Sequence, residues 1–212
     1  MMYLRYAIIV VVAYLLGNIS TGVIVSNLVA HKDIRKSGSG NAGATNMLRT
    51  YGWLPSVLTL LGDCLKAVIA TIFGKLVGGE YGMLMAGVAA IAGHNWPVFY
   101  GFKGGKGIAA SLGLILVTSP LIALFLLAEQ IVVVALTRYM SVASIFSAML
   151  YPVLTWVFHP HDPARIVASI IVGALALFSH RANIARLIQG NENRLDFGKI
   201  RDISRKKREG EG

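Results

Sequence analysis

Apolar residues gather along this chain into long runs separated by short polar intervals. The runs lie at 2–30, 53–77, 81–98, 108–117, 120–136, 142–158 and 163–179. A helix needs roughly 20 apolar residues to cross a bilayer, so the runs predict membrane spans rather than core helices of a soluble domain. The stretch 108–136 decides the count. As one helix it would be roughly 44 Å long, against a hydrocarbon core of about 30 Å. Pro120 disfavours helix at the residue before it, so Thr118–Ser119–Pro120 reads as a break between two short helices. Seven spans result.

Charge supports that count. With seven spans and the N-terminus outside, the inner connections and tail carry 16 of the 20 Lys and Arg residues. Arg5, Lys75 and Arg165 fall outside and Lys66 within a span. Six spans would move Arg138 and the tail outside, against the positive-inside tendency. The expected fold class is an all-α polytopic membrane protein with seven transmembrane helices, N-terminus outside and C-terminus cytoplasmic. A single domain covers residues 1–194, and 195–212 is a basic, disordered tail. Only 14% of residues are charged, where a soluble domain carries about 25%. The net charge of +10 suits anionic lipid better than nucleic acid. The single cysteine, Cys64, excludes a disulfide framework.

With that topology, three polar segments share the cytoplasmic side: 31–52, 99–107 and 180–202. The first holds Ser37, Gly38, Ser39, Gly40, Asn41, Gly43, Thr45, Asn46 and Arg49. Its G-x-G-x-x-G spacing follows an apolar helix and not a strand, so a dinucleotide fold is rejected. Its glycines still allow backbone N–H groups to converge on an anion, and Arg49 suits phosphate. The second runs through His94, Asn95, Lys103, Gly104, Gly105, Lys106 and Gly107 and then opens a helix, an anion-binding arrangement. It lacks the spacing of a Walker loop. Trp96, Phe99, Tyr100 and Phe102 read as an interfacial belt. In the third, His180 and Asn183 share one helix face, with Arg186 and Glu192 beyond. Ser141 starts the sixth span and can add a hydroxyl.

Within the spans, Asp63 and Lys66 stand at i and i+3 and read as a structural clasp. Asn18, Gly22 and Ser26 form a polar stripe, and Glu129 is isolated. Two cationic, glycine-rich segments beside an apolar bundle imply two anionic groups, such as a small phosphorylated substrate and a lipid-like one. No metal or other cofactor is expected.

"SGSGNAGATNMLR", "GHNWPVFYGFKGGKG" and "HRANIARLIQGNENR" resemble, in order, the three cytoplasmic motifs of the bacterial acyl-phosphate:glycerol-3-phosphate acyltransferases, the PlsY type. The resemblance runs from Leu15 to Arg194. It implies transfer of an acyl group from acyl phosphate to the 1-hydroxyl of glycerol 3-phosphate, giving lysophosphatidic acid, in the bacterial cytoplasmic membrane. It implies glycerol 3-phosphate contacts at Arg49, Lys106, Ser141, His180 and Asn183, with His180, Lys106 and Asn183 catalytic. The 37–46 loop would hold the acyl phosphate. Acyl phosphate is already activated, so direct attack without an acyl-enzyme is expected, the proton going to His180 or to a substrate phosphate. The expected state is a monomer among membrane lipids.

Two rivals are weaker. No aspartate lies five residues after any histidine, which excludes a thioester-using H-x4-D acyltransferase. A transporter would show internal repeats and polar clusters at mid-membrane, not crowded on one side.

Overall fold

The computed structural model describes the backbone of residues 1–208 and side chains up to residue 205. Every regular element among them is helical. The first apolar run is α1 (Met2–Gly17) and α2 (Thr21–Ala30), broken at residues 18–20. Met2–Ala30 is still one membrane-length stretch, as expected, with the break inside it. Ser20 is extended, Asn18 turns its amide onto the Tyr14 carbonyl at 2.6 Å, and the Ile19 carbonyl freed by the break accepts from Lys66 Nζ at 2.6 Å. A buried ammonium thus satisfies a group that lipid could not.

After α3 (Ala44–Tyr51) comes α4 (Trp53–Asn95), 43 residues and, at 1.5 Å per residue, roughly 65 Å if straight. It is not straight. Gly79 takes φ 65° and ψ −152°, and the helix folds back there. A Cβ on Gly74 would sit 2.3 Å from the Gly82 carbonyl oxygen, which only an antiparallel hairpin allows. The legs correspond to the two runs expected at 53–77 and 81–98. α5 (Ile108–Thr118) and α6 (Pro120–Thr137) meet at Ser119, with Pro120 at the first turn of α6 where its missing N–H costs nothing. α7 (Met140–Phe158), α8 (Pro163–Ser179), α9 (Arg181–Ile188) and α10 (Phe197–Arg208) complete the chain. α9 bends 57° from α8 at His180.

Among the described residues, four helical stretches are long and apolar enough to cross a membrane, or five if the bent α8–α9 pair is one span. Small residues let the centre close: a Cβ on Gly17 would lie 2.2 Å from the Ala90 carbonyl oxygen, and one on Gly93 2.2 Å from that of Tyr14. Around that seam Ile9, Ala13, Ala67, Ala86 and Leu114 form the core. Leu121, Leu124, Phe125 and Ile131 of α6 point outward instead, as lipid-facing residues do.

Residues 197–208 are helical, and Leu195 and Ile200 are buried against Leu48. Phe197, Ile200 and Ile203 recur every third residue, enough to seat one face. Residues 209–212 of the expected disordered tail lie outside the described residues.

Candidate active site

Each polar segment is shaped by its own side chains before it meets the others. In the first, Asn46 is buried at the start of α3 and staples the loop. Its Oδ1 accepts from Ser39 N at 2.9 Å, and its Nδ2 donates to the carbonyls of Ser37 and Asn41, both at 2.9 Å. Gly38 and Gly40 take positive φ, 59° and 74°, which lets the chain wrap so small a circle.

The second segment lies on His94. A Cβ on Gly105 would fall 2.0 Å from His94 Nε2, and one on Gly104 2.0 Å from the His94 carbonyl oxygen, so only glycine fits at either place. Gly107, at φ 86°, then caps α5. Arg35 ties the first two segments together. Its guanidinium lies 5.1 Å from the Tyr100 ring centroid and donates to the Tyr100 carbonyl at 2.8 Å, while Asp33 pairs with it at 2.7 Å.

The third segment supplies the hub. Glu192 is buried, and its Oε1 accepts from Asn183 Nδ2 at 2.9 Å and Ser141 Oγ at 3.1 Å. Its Oε2 accepts from Arg186 Nε at 2.8 Å. Asn183 Oδ1 in turn accepts from Lys106 Nζ at 2.5 Å. Arg49 donates to the Asn193 carbonyl at 2.9 Å, and its Nε is buried without a partner. One carboxylate therefore organises three cations from three segments. Burial pushes the Glu192 carboxyl up, but hydrogen bonds from Asn183, Arg186 and Ser141 and the charge of Arg186 outweigh it, and the net shift is down. Burial pulls Lys106 down to about 8, Glu192 opposing and Arg186 and Arg49 assisting. Arg49 is lowered as well, by burial.

His180, past the end of α8, points its Nδ1 at the Ala176 carbonyl, 2.8 Å away. A carbonyl only accepts, so Nδ1 carries the proton and Nε2 holds a free lone pair. Burial, with Lys106 adding to it, takes His180 down to about 4, the Ala176 carbonyl and Glu192 opposing.

These groups face one cavity of about 440 Å³. Ser39, Asn41, Gly43, Thr45, Asn46 and Arg49 reach it from the first segment, Lys106 and Gly107 from the second, and His180, Asn183, Arg186 and Glu192 from the third. Ser141 and His94 also line it. Ser37, Gly38, Gly40, Asn95, Lys103, Gly104 and Gly105 do not line it; of these, Ser37, Gly38, Gly40, Gly104 and Gly105 belong to the backbone turns described above. The remaining wall is apolar. Trp53, Val57, Leu60 and Ile131 line the cavity and are also exposed on the lipid-facing surface, so it opens sideways between the first leg of α4 and α6.

Beneath it lies a second charged group. Asp63 Oδ1 is 2.9 Å from Lys66 Nζ and 3.4 Å from His94 Nδ1, and Lys66 Nζ is 2.9 Å from the same nitrogen. The expected Asp63–Lys66 clasp therefore joins α4 to the α1–α2 break and to the histidine under the glycine turn.

Comparison with known proteins identifies the family. The glycerol-3-phosphate acyltransferase family model matches residues 7–190. The chain belongs to the glycerol-3-phosphate acyltransferase family. A family member from Clostridioides difficile (strain 630) is 44% identical over 196 residues, covering 90% of this chain and 95% of the relative. One from Thermoanaerobacter sp. (strain X514) is 42% identical over 191 residues, covering 90% and 96%. The crystal structure of PlsY (YgiH), an integral membrane glycerol 3-phosphate acyltransferase, in its glycerol 3-phosphate form superposes with a TM-score of 0.86 at 36% identity, over 92% of this chain and 98% of that one. Its lysophosphatidic acid form gives 0.82 at 35% identity, over 92% and 97%. This family member is thus an integral membrane enzyme with several apolar helices.

Two features of the site are absent from the expected residue set. Arg35 looks like one more basic loop residue, and only the fold brings Tyr100 beneath it. Asp63, expected as a clasp, also lines the cavity. Glu192 belongs to the third motif, and one signal in the sequence marks it as more: it is the sole acidic residue between Asp162 and Asp196.

Proposed function

We propose that the cavity joins acyl phosphate to glycerol 3-phosphate, giving lysophosphatidic acid and inorganic phosphate. The observation that carries this reading is the surplus of cation around Glu192: Arg49, Lys106 and Arg186 surround one carboxylate in a cavity with an apolar side opening. Arg49 and Lys106 hold the phosphate of glycerol 3-phosphate, with Ser141, Asn183 and His180 ordering the glycerol. The Ser37–Asn46 loop takes the acyl phosphate, whose chain leaves through the side opening.

The 1-hydroxyl oxygen attacks the acyl carbon directly. The new C–O ester bond forms as the C–O bond to phosphate breaks, and no residue becomes acylated. His180, neutral and with Nε2 unprotonated, accepts the hydroxyl hydrogen bond and aims the nucleophile. So low a basicity makes it a poor final proton acceptor, and the departing phosphate takes the proton. The barrier falls through positioning and charge. The enzyme sits as a seven-span monomer in the bacterial cytoplasmic membrane, N-terminus outside, with this cavity at the cytoplasmic face and lipids around it.

The deciding experiment is phosphate release in lipidic medium from palmitoyl phosphate, with and without glycerol 3-phosphate, beside thiol release from palmitoyl-CoA. Phosphate release that needs glycerol 3-phosphate, with no thiol released, is expected. Thiol release instead would overturn the acyl-phosphate reading.

A further inference from the structure

The family match ends at residue 190, and α10 lies beyond it. Its sequence carries six Lys and Arg residues against one acid, Asp202. One side of this segment is fixed to the catalytic body. Leu195 N donates to the Arg138 carbonyl at 2.8 Å, Ile200 packs on Leu48, and Trp53 N donates to Ser204 Oγ at 3.2 Å. Gly52 makes the last approach possible, since a Cβ there would lie 2.4 Å from Ser204 Oγ. Trp53 begins a membrane-spanning leg and is half-exposed, which sets α10 at headgroup depth. The other side of α10 presents Lys199, Arg201 and Arg205 outward, with Asp202 among them and Asp196 just before. Leu195 and Phe197, at its start, line the cavity.

We infer that α10 is an interfacial helix whose basic face docks on anionic phospholipid headgroups, and that this docking holds Leu195 and Phe197 in the cavity wall. Charge complementarity selects the occupant. A cluster of this size on an amphipathic helix beside a span matches the density that binds anionic lipid. The surface is apart from the substrate-binding cations, none of which lies on α10. Its effect on turnover rests on the acyl-phosphate reading; the docking itself does not.

The test uses the full chain in nanodiscs of phosphatidylcholine, alone or with about 30% phosphatidylglycerol, a charged-leaflet composition. Amide hydrogen exchange over residues 197–208 is expected to slow about tenfold with the anionic lipid and to recover at about 0.5 M salt, where surface attraction is screened. A variant carrying Lys199→Gln and Arg201→Gln, two of the outward cations, is expected to lose most of the lipid response. In that variant kcat/KM for palmitoyl phosphate in anionic discs drops about threefold, since the wall loses its tether and no substrate contact. Exchange that is equal in the two lipids, or slowed by anionic lipid regardless of salt, overturns the inference. These lipid and salt arms use the unaltered chain, so a variant that misfolds leaves them intact. Slowed, salt-sensitive exchange without turnover in either disc would sustain the docking and sink the acyltransfer reading.

Discussion

Two buried carboxylates anchor this molecule, and their surroundings differ in one countable respect. Asp63 meets the single ammonium of Lys66, a ring nitrogen of His94, and a hairpin that closes around them. Glu192 meets Arg186 directly, Lys106 through Asn183, and Arg49 one residue along the chain at the Asn193 carbonyl. The first cluster is balanced and the second is short of negative charge. Burying an ion is costly unless it is paired, so the unbalanced cluster is the one built to receive an anion. Charged clusters within a membrane protein therefore carry different meanings according to whether their sum is zero.

Breaking the balanced cluster has the largest expected effect. Lys66→Met leaves Asp63 buried without its cation and costs about 3–5 kcal/mol, read as a fall in thermal melting in detergent. Adding Asp63→Asn to it recovers much of the loss. If the double variant melts no higher than the single, the cluster is no simple pair. Lys106→Ala acts on the other cluster. It lowers kcat/KM for glycerol 3-phosphate about 10²–10³-fold with little change in melting, because a charge in excess is missed only by the substrate. Glu192→Gln keeps the hydrogen-bonding shape but removes the counter-charge. About a tenfold loss is expected, with partial rescue by Glu192→Asp, measured by phosphate release.

The smallest effect is a pair of opposed pH slopes. Lys106 is protonated below about 8 and loses its charge above, so KM for glycerol 3-phosphate rises on the alkaline side. Stability without substrate runs the other way. The unfolded lysine keeps its proton to about 10.4, so between these values the unfolded chain binds more protons and stability grows with pH. Parallel slopes would mean that Lys106 is not the titrating group.

Much of this was legible in the sequence because lipid imposes long apolar runs and glycine marks the turns between them. The hairpin inside α4 was visible as two runs separated by Gly78 and Gly79. The three polar segments stood out for the same reason. The break at residues 18–20 was hidden, since Asn18 and Ser20 flank Ile19 in a run otherwise apolar, and the partner that permits it, Lys66, is 47 residues away. The partners of Glu192 were hidden too, because they depend on the α8–α9 bend and on Ser141 arriving from α7. α10 was concealed by charge: among its described side chains only Ile200 is buried, and the rest reads as a solvated tail.

The break in the first apolar run bears on the order in which the chain is made. Ile19 leaves the ribosome before Lys66, so its freed carbonyl enters the bilayer without the ammonium that later satisfies it. Until the α4 hairpin arrives, water must accompany that carbonyl. Lys66 for its part comes with Asp63 one turn earlier on the same helix, so it inserts as half of an ion pair rather than as a bare charge. Seating the hairpin then expels the water and locks the first two helices at once, which makes residues 1–95 the natural unit of assembly onto which the later helices add.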